Sequence, residues 1–180
     1  MSEFEYLAVF VSIIFGISIT HLLAGAIRSV YDGQVNHTRV VFTVFFFMVL
    51  ILNWWTLFFE HEKVSWDLTV FTTVIIWSVT HYVAAITLYP PRSARSQESY
   101  EFRPRWFLWA FIGVAATDIL QTAARGGLFT EWTYLPFVCH YIVVTAIAIA
   151  LNKRTFYRGI AWYLLLITVL WAFGKRNLLL

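Results

Sequence analysis

Six long apolar stretches, separated by short polar segments, are the feature that most constrains how this chain of 180 residues can fold. A helix needs roughly 20 largely apolar residues to cross a bilayer, and each stretch is close to that length. Only 13% of the residues are charged, against about 25% in a soluble domain. We therefore expect an all-α polytopic membrane protein with one transmembrane domain, residues 1–180. The predicted spans are about Tyr6–Ile27, Val40–Phe59, Leu68–Tyr89, Trp106–Ala124, Tyr134–Leu151 and Tyr157–Phe173.

A short motif around a histidine recurs inside these stretches. Ser18–Ala24 and Ser78–Ala84 are near copies that lie 60 residues apart, and Val138–Val143 is a weaker copy whose histidine follows 59 residues later. Self-similarity at a fixed interval is typical of repeated architectures. The sequence thus predicts three repeated helical hairpins, at about residues 6–60, 67–125 and 133–174.

The distribution of basic residues between the two sides of the membrane predicts the orientation. The side with both termini carries four basic residues, and the side with the first, third and fifth loops carries nine. Basic residues favour the cytoplasmic side, so we expect both the N-terminus and the C-terminus outside and the longest loop, Pro91–Pro104, in the cytoplasm. Because these charges are spread over short loops, they argue against nucleic-acid binding. The nine are Arg28, Arg39, Arg92, Arg95, Arg103, Arg105, Lys153, Arg154 and Arg158.

Polar side chains within the spans are the candidate functional residues, because an ionisable group is costly in hydrocarbon and usually serves a purpose there. The three motif histidines are expected in the inner or middle part of the membrane. A second polar layer, which includes Asn53, Asp118 and Gln121, is expected in the outer half. Asp118 is the one carboxylate placed well within a span. We expect it to face the bundle interior, within hydrogen-bond or single-water reach of a polar side chain on another span. The candidates are His21, His81, His140, Asn53, Asp118 and Gln121.

Three hypotheses fit this arrangement. The first is a channel or transporter for a small solute or ion. It would have no cofactor, and Asp118 and His81 would form a proton-linked polar pathway. The second is a haem- or quinone-linked redox subunit, with b-type haem or zinc bound by His21, His81 and His140. The third is a membrane interaction or sensory subunit in which each histidine only fixes helix packing. The sequence lacks the common motifs of soluble enzymes, which favours a protein that is not an enzyme.

Two further patterns concern partners of the bundle. Small residues at a four-residue spacing on the first span, Ser12, Gly16, Thr20 and Ala24, are typical of a helix-packing face, within the protomer or across a homo-oligomer. The pair Trp54-Trp55 at a span boundary is typical of an interfacial anchor in the lipid bilayer, and an aromatic lid over a solute entrance is the alternative.

The first span resembles the start of a group of small six-span bacterial membrane proteins. The shared pattern is Glu-Tyr-Leu…Ser-Ile…Gly…Ile-Thr…Leu-Leu, found here between Glu5 and Leu23. Proteins of this group also tend to carry Trp-Trp at the end of the second span and a proline after the third, as Trp54-Trp55 and Pro90 do here. The resemblance implies a bacterial inner-membrane protein and transfers no activity. The position of His21 is often a different polar residue in the group, which argues against an obligatory histidine ligand there.

Overall fold

The chain forms a bundle of six helices in a computed structural model, which describes residues 3–60, 66–90 and 102–176. Each of the six helices in this part of the chain is long and apolar enough to cross a membrane. The predicted all-α six-span architecture is therefore confirmed, and the protein is a multi-pass membrane protein. Residues 91–101 of the longest predicted loop lie outside the described residues. The helices are α1 (Glu3–Tyr31), α2 (His37–Glu60), α3 (Leu68–Leu88), α4 (Pro104–Ala124), α5 (Tyr134–Leu151) and α6 (Arg154–Arg176).

Local sequence signals set the ends of these helices. Asn36 and Asp67 each accept a hydrogen bond from a backbone N–H in the first turn of α2 and α3, at 3.2 and 2.8 Å. Such side-chain caps satisfy donors that have no partner within the helix. Pro104 begins α4, where its missing N–H costs nothing. Gly33 and Asn152 adopt positive φ angles of 65° and 45° in the two shortest turns, a conformation that glycine and asparagine tolerate best.

Ring contacts show that α1 runs parallel to α3 and that α2 runs parallel to α4. Phe4, at the start of α1, lies 5.3 Å from the ring of Trp66, just before α3. Phe42, near the start of α2, lies 5.1 Å from Phe107, near the start of α4. One end of the bundle therefore holds the α1–α2 and α5–α6 turns, the end of α3 and the start of α4. We call it the basic end, because it includes most of the arginines.

Helix α2 contacts every other helix of the bundle. Helices α1, α3, α4, α5 and α6 pack one against the next in a curved row, and α2 packs against both α1 and α6 and so closes the row. Phe42, Phe45 and Phe46 of α2 are fully buried. The ring of Phe45 lies 5.1 Å from that of Phe111 on α4 and 6.3 Å from that of Tyr141 on α5. This aromatic cluster is the core of the basic half of the bundle.

The outer surface of the bundle is apolar, as a surface in lipid must be. Ile17, Val83 and Leu166, on three different helices, are each about half exposed. On α1 the inward face includes Ser18, which is fully buried, whereas Gly16, Thr20 and Ala24 of the small-residue pattern lie exposed. Most of that pattern thus faces lipid or another protein. The three predicted hairpins occupy different positions in the bundle. That they arose as repeats stays a prediction.

Candidate functional site

His81 lies in the middle of the bundle, enclosed by aromatic rings from three helices. Its side chain is fully buried. The rings of Trp77, Phe15 and Phe46 lie 4.8, 5.1 and 5.9 Å from the imidazole, so α1, α2 and α3 meet around it. A rigid apolar enclosure of this kind strengthens every polar interaction inside it.

Two hydrogen bonds fix the tautomer of His81. Nδ1 lies 2.8 Å from the carbonyl oxygen of Trp77, which can only accept, so Nδ1 donates. Nε2 lies 2.9 Å from Nδ2 of Asn53 on α2, an N–H donor, so Nε2 accepts. The imidazole is therefore neutral, with both nitrogens satisfied. A second proton on Nε2 would require the Asn53 amide to turn and present its oxygen, which couples the charge of His81 to one side-chain rotation.

Asp118 is held by a second set of polar side chains, where α4 meets α5. Its Oδ2 accepts from the phenol of Tyr134 at 2.7 Å, and its Oδ1 accepts from Nε2 of Gln121 at 3.2 Å. The prediction that Asp118 has a hydrogen-bond partner on another span is confirmed, and the partner is Tyr134. Thr122 Oγ1 lies 3.0 Å from the Tyr134 oxygen and offers that phenol an alternative acceptor. Oε1 of Gln121 is buried and has no hydrogen-bond partner in the described part of the chain.

Trp77 lies between the two sets. Its backbone carbonyl accepts from His81, and its buried indole N–H interacts electrostatically with the carboxylate of Asp118. Within the described residues that N–H has no partner at hydrogen-bond distance. Four helices, α2 to α5, thus contribute to one row of side chains. The row, here called the polar row, consists of Asn53, His81, Trp77, Asp118 and Tyr134.

The polar row differs from the sequence-based prediction in the position of Asn53. It also adds two residues, Trp77 and Tyr134, to the candidate site. Asn53 was expected in a layer apart from the histidines, but its bond to His81 places both side chains at the same depth. Trp77 and Tyr134 were not predicted, because aromatic residues in or at the edge of a span resemble ordinary core and interface residues. The signal for Tyr134 is its place directly after the short α4–α5 connection, which brings it back beside the end of α4.

His21 belongs to a different contact, at the basic end. Its Nε2 donates to the carbonyl oxygen of Tyr89 at 2.7 Å, a group at the end of α3 that has no partner within the helix. Gly25 leaves room for the Tyr89 ring, which a methyl group at that position would overlap. The phenol shares a hydrogen bond of 3.0 Å with the hydroxyl of Thr43, and burial raises the pKa of Tyr89 above the ordinary value. His21 therefore fastens the end of α3 to α1.

His140 lies apart from the other two histidines. Its Nε2 shares a hydrogen bond of 2.7 Å with the phenol of Tyr163 on α6, a side chain that is 40% exposed. The structure therefore joins each motif histidine to a different group. Among the described residues, no three His, Cys, Asp or Glu side chains are grouped so as to hold a metal ion. The three imidazoles of His21, His81 and His140 therefore form no common site. Binding of haem or zinc stays a prediction.

Trp54 and Trp55, at the far end of α2, are each about half exposed. The indole N–H of Trp54 donates to the hydroxyl of Ser12 on α1 at 3.1 Å, so this tryptophan also joins two helices.

Comparisons with protein-family models, curated proteins and solved structures gave no match. The candidate site is therefore identified from the structure alone. It is the polar row, in which His81 and Asp118 lie on adjacent helices.

Proposed function

We propose that this protein is a membrane transporter or channel, and not an enzyme, that moves protons or a small solute coupled to them. The observation behind the proposal is the polar row itself. His81 and Asp118 are titratable and lie inside the bundle on α3 and α4, which pack against each other, and both interact with Trp77. Titratable side chains that face the interior of a transmembrane bundle and are held there by polar partners are characteristic of proton pathways.

Each titratable group has a partner that can adapt to its charge. When His81 gains a proton, the Asn53 amide can rotate so that its oxygen accepts from Nε2. When Asp118 gains a proton, the phenol of Tyr134 can donate to Thr122 Oγ1, 3.0 Å away. In each case the atom that gains the proton keeps a hydrogen-bond partner, so the usual cost of about 1–3 kcal/mol for an unpaired buried group is avoided at that atom. The free Oε1 of Gln121 offers an acceptor for a water molecule or a solute beside Asp118.

His21 and His140 stand outside this proposal. His21 bonds to a backbone carbonyl at the end of α3, and His140 pairs with Tyr163 near the outer surface. The haem- or quinone-linked subunit remains the alternative function, and an absorption spectrum of the purified protein separates the two. A haem band that disappears with His81→Gln would favour the redox alternative.

Proton flux in proteoliposomes tests the proposal directly. Vesicles containing a pH-sensitive dye and a potassium gradient are treated with valinomycin, and the rate of internal pH change is recorded. Wild-type protein should raise the rate above that of empty vesicles, and Asp118→Asn and His81→Gln should each remove the increase. His140→Gln, a histidine substitution outside the polar row, is the matched control and should retain it. Equal rates in wild-type and empty vesicles would contradict proton movement by this protein.

The proposal extends to placement in the cell. We infer a bacterial inner membrane with the basic end in the cytoplasm, on the strength of the nine basic residues on that side and the resemblance of the first span. Lipid surrounds the bundle, and the transported species is a small solute or ion.

A further inference from the structure

A basic cavity lies at the basic end, away from the polar row. It has a volume of about 770 Å³ and opens between the α1–α2 turn and the starts of α2 and α6. Arg39, Arg154 and Arg158 line it, together with His37 and Thr38. None of its lining residues in the described part of the chain is acidic. The three arginines make the lining of this cavity basic.

The arginines are positioned in two ways. Arg39 is only 9% exposed, and its guanidinium lies 5.5 Å from the centre of the Tyr89 ring and 5.0 Å from that of Phe102. Cation–π contacts on two rings hold this group in place. Arg154 and Arg158 are exposed and four residues apart on α6, so they project from the same side of the helix. The cavity therefore has one buried arginine and two exposed ones.

An apolar groove continues from this cavity into the membrane. A second cavity of about 390 Å³ shares His37, Thr38 and Arg158 with the first. From there it follows α2 and α6, and both helices run from the basic end toward the membrane interior. The remaining lining residues are apolar: Val40, Val41, Val44, Trp162 and Leu165. From His37 to Val44 the groove extends about 10 Å at 1.5 Å per residue.

We propose that the two cavities together bind one anionic phospholipid. The phosphate would lie among Arg39, Arg154 and Arg158, which suit phosphate because the guanidinium group can donate two parallel hydrogen bonds to it. An acyl chain would lie in the groove between α2 and α6, against Val44 and Trp162. A free phosphate ion would use the basic cavity and leave the groove unused. The apolar continuation is the reason to assign a lipid, and the inference does not depend on the proposed transport function.

Binding of phosphatidylglycerol to the detergent-purified full chain, measured by native mass spectrometry against phosphatidylcholine, tests the proposal. Wild-type protein should retain phosphatidylglycerol preferentially. The double variant Arg154→Gln/Arg158→Gln should bind it about thirtyfold more weakly, since each basic residue near an anionic lipid contributes about a factor of five. Arg28→Gln/Arg105→Gln removes the same charge at the same end from residues that line neither cavity, and should bind as the wild type does.

Two further measurements separate a lipid from a free anion. Val44→Trp, which fills the groove, should weaken retention of phosphatidylglycerol, and millimolar inorganic phosphate should not displace the lipid. Equal retention of the two lipids, or equal losses in the two double variants, would overturn the proposal. Displacement by phosphate with no effect of Val44→Trp would also overturn it, and would identify a soluble-anion site instead.

Discussion

Gly25→Ala offers a sharp test of how α1 and α3 are joined at the basic end. A methyl group at Gly25 would overlap Cβ, Cγ and Cδ2 of Tyr89. The ring cannot simply turn away, because its phenol shares a hydrogen bond with Thr43 and the Arg39 guanidinium lies over its face. The substitution should therefore displace an anchored side chain, and the carbonyl that accepts from His21 belongs to the same residue.

The expected loss of stability follows from these contacts. Overpacking costs about 1–3 kcal/mol, and loss of the Thr43 hydrogen bond adds about 1 kcal/mol. Alanine gains about 1 kcal/mol over glycine within a helix, so the net loss should be about 1–3 kcal/mol. For a chain of this size, the unfolding midpoint should fall by about 2–4 °C for each kcal/mol. Thermal unfolding in detergent, followed by circular dichroism, measures the shift.

Gly16→Ala is the matched control on the same helix. A Cβ at Gly16 meets no atom within 4 Å, so this variant gains the same helix propensity without overlap and should be at least as stable as the wild type. A double-mutant cycle with Tyr89→Ala should show that Gly25→Ala costs little once the ring is gone. If Gly25→Ala were as stable as Gly16→Ala in the wild-type background, the close approach of Tyr89 to α1 would be refuted.

Two other predictions concern the polar row and the orientation. Asn53→Leu should lower stability by about 1–3 kcal/mol, because Nε2 of His81 loses its donor in a buried site; an unchanged unfolding midpoint would mean that this hydrogen bond is absent. Cysteines introduced at Ser2 and Ser96, in a Cys139→Ser background, should react with an impermeant maleimide from opposite sides, Ser2→Cys outside and Ser96→Cys only after permeabilisation. The reverse labelling pattern would invert the orientation. Both labelling positions lie outside the described residues.

The helices themselves could be predicted from the sequence because length and hydropathy decide whether a segment can cross a bilayer. The predicted bounds of α5 match the structure, and α3 differs by one residue at its end. Helices α1 and α6 extend up to four residues beyond the predicted spans, into polar ends such as Arg154 and Arg176. Hydropathy marks where the apolar segment stops, whereas a helix continues into the interface for as long as its backbone is satisfied.

The partners within the polar row could be predicted only in part. The cost of a buried carboxylate shows that Asp118 needs a donor, and the structure supplies one. Which donor it is depends on which way each helix is rotated. In α2 every residue from Val44 to Leu52 is apolar, so no polar stripe reveals the rotation of the helix that presents Asn53. Asn53 was therefore expected beside Asp118, whereas in the structure it bonds to His81.

The two best copies of the histidine motif agree in their packing and differ in their chemistry. Ser18 and Ser78 are both fully buried, and each donates to a carbonyl of its own helix at 2.8 Å. These serines lie on two helices that run in parallel and pack against each other, so close packing accounts for what the copies share. The histidines three residues later diverge: His21 donates to a backbone carbonyl at the end of α3, whereas His81 pairs with a side chain that can reverse its hydrogen bond. A repeated motif thus identifies a shared packing surface here, and it does not predict the hydrogen-bond partner of each histidine.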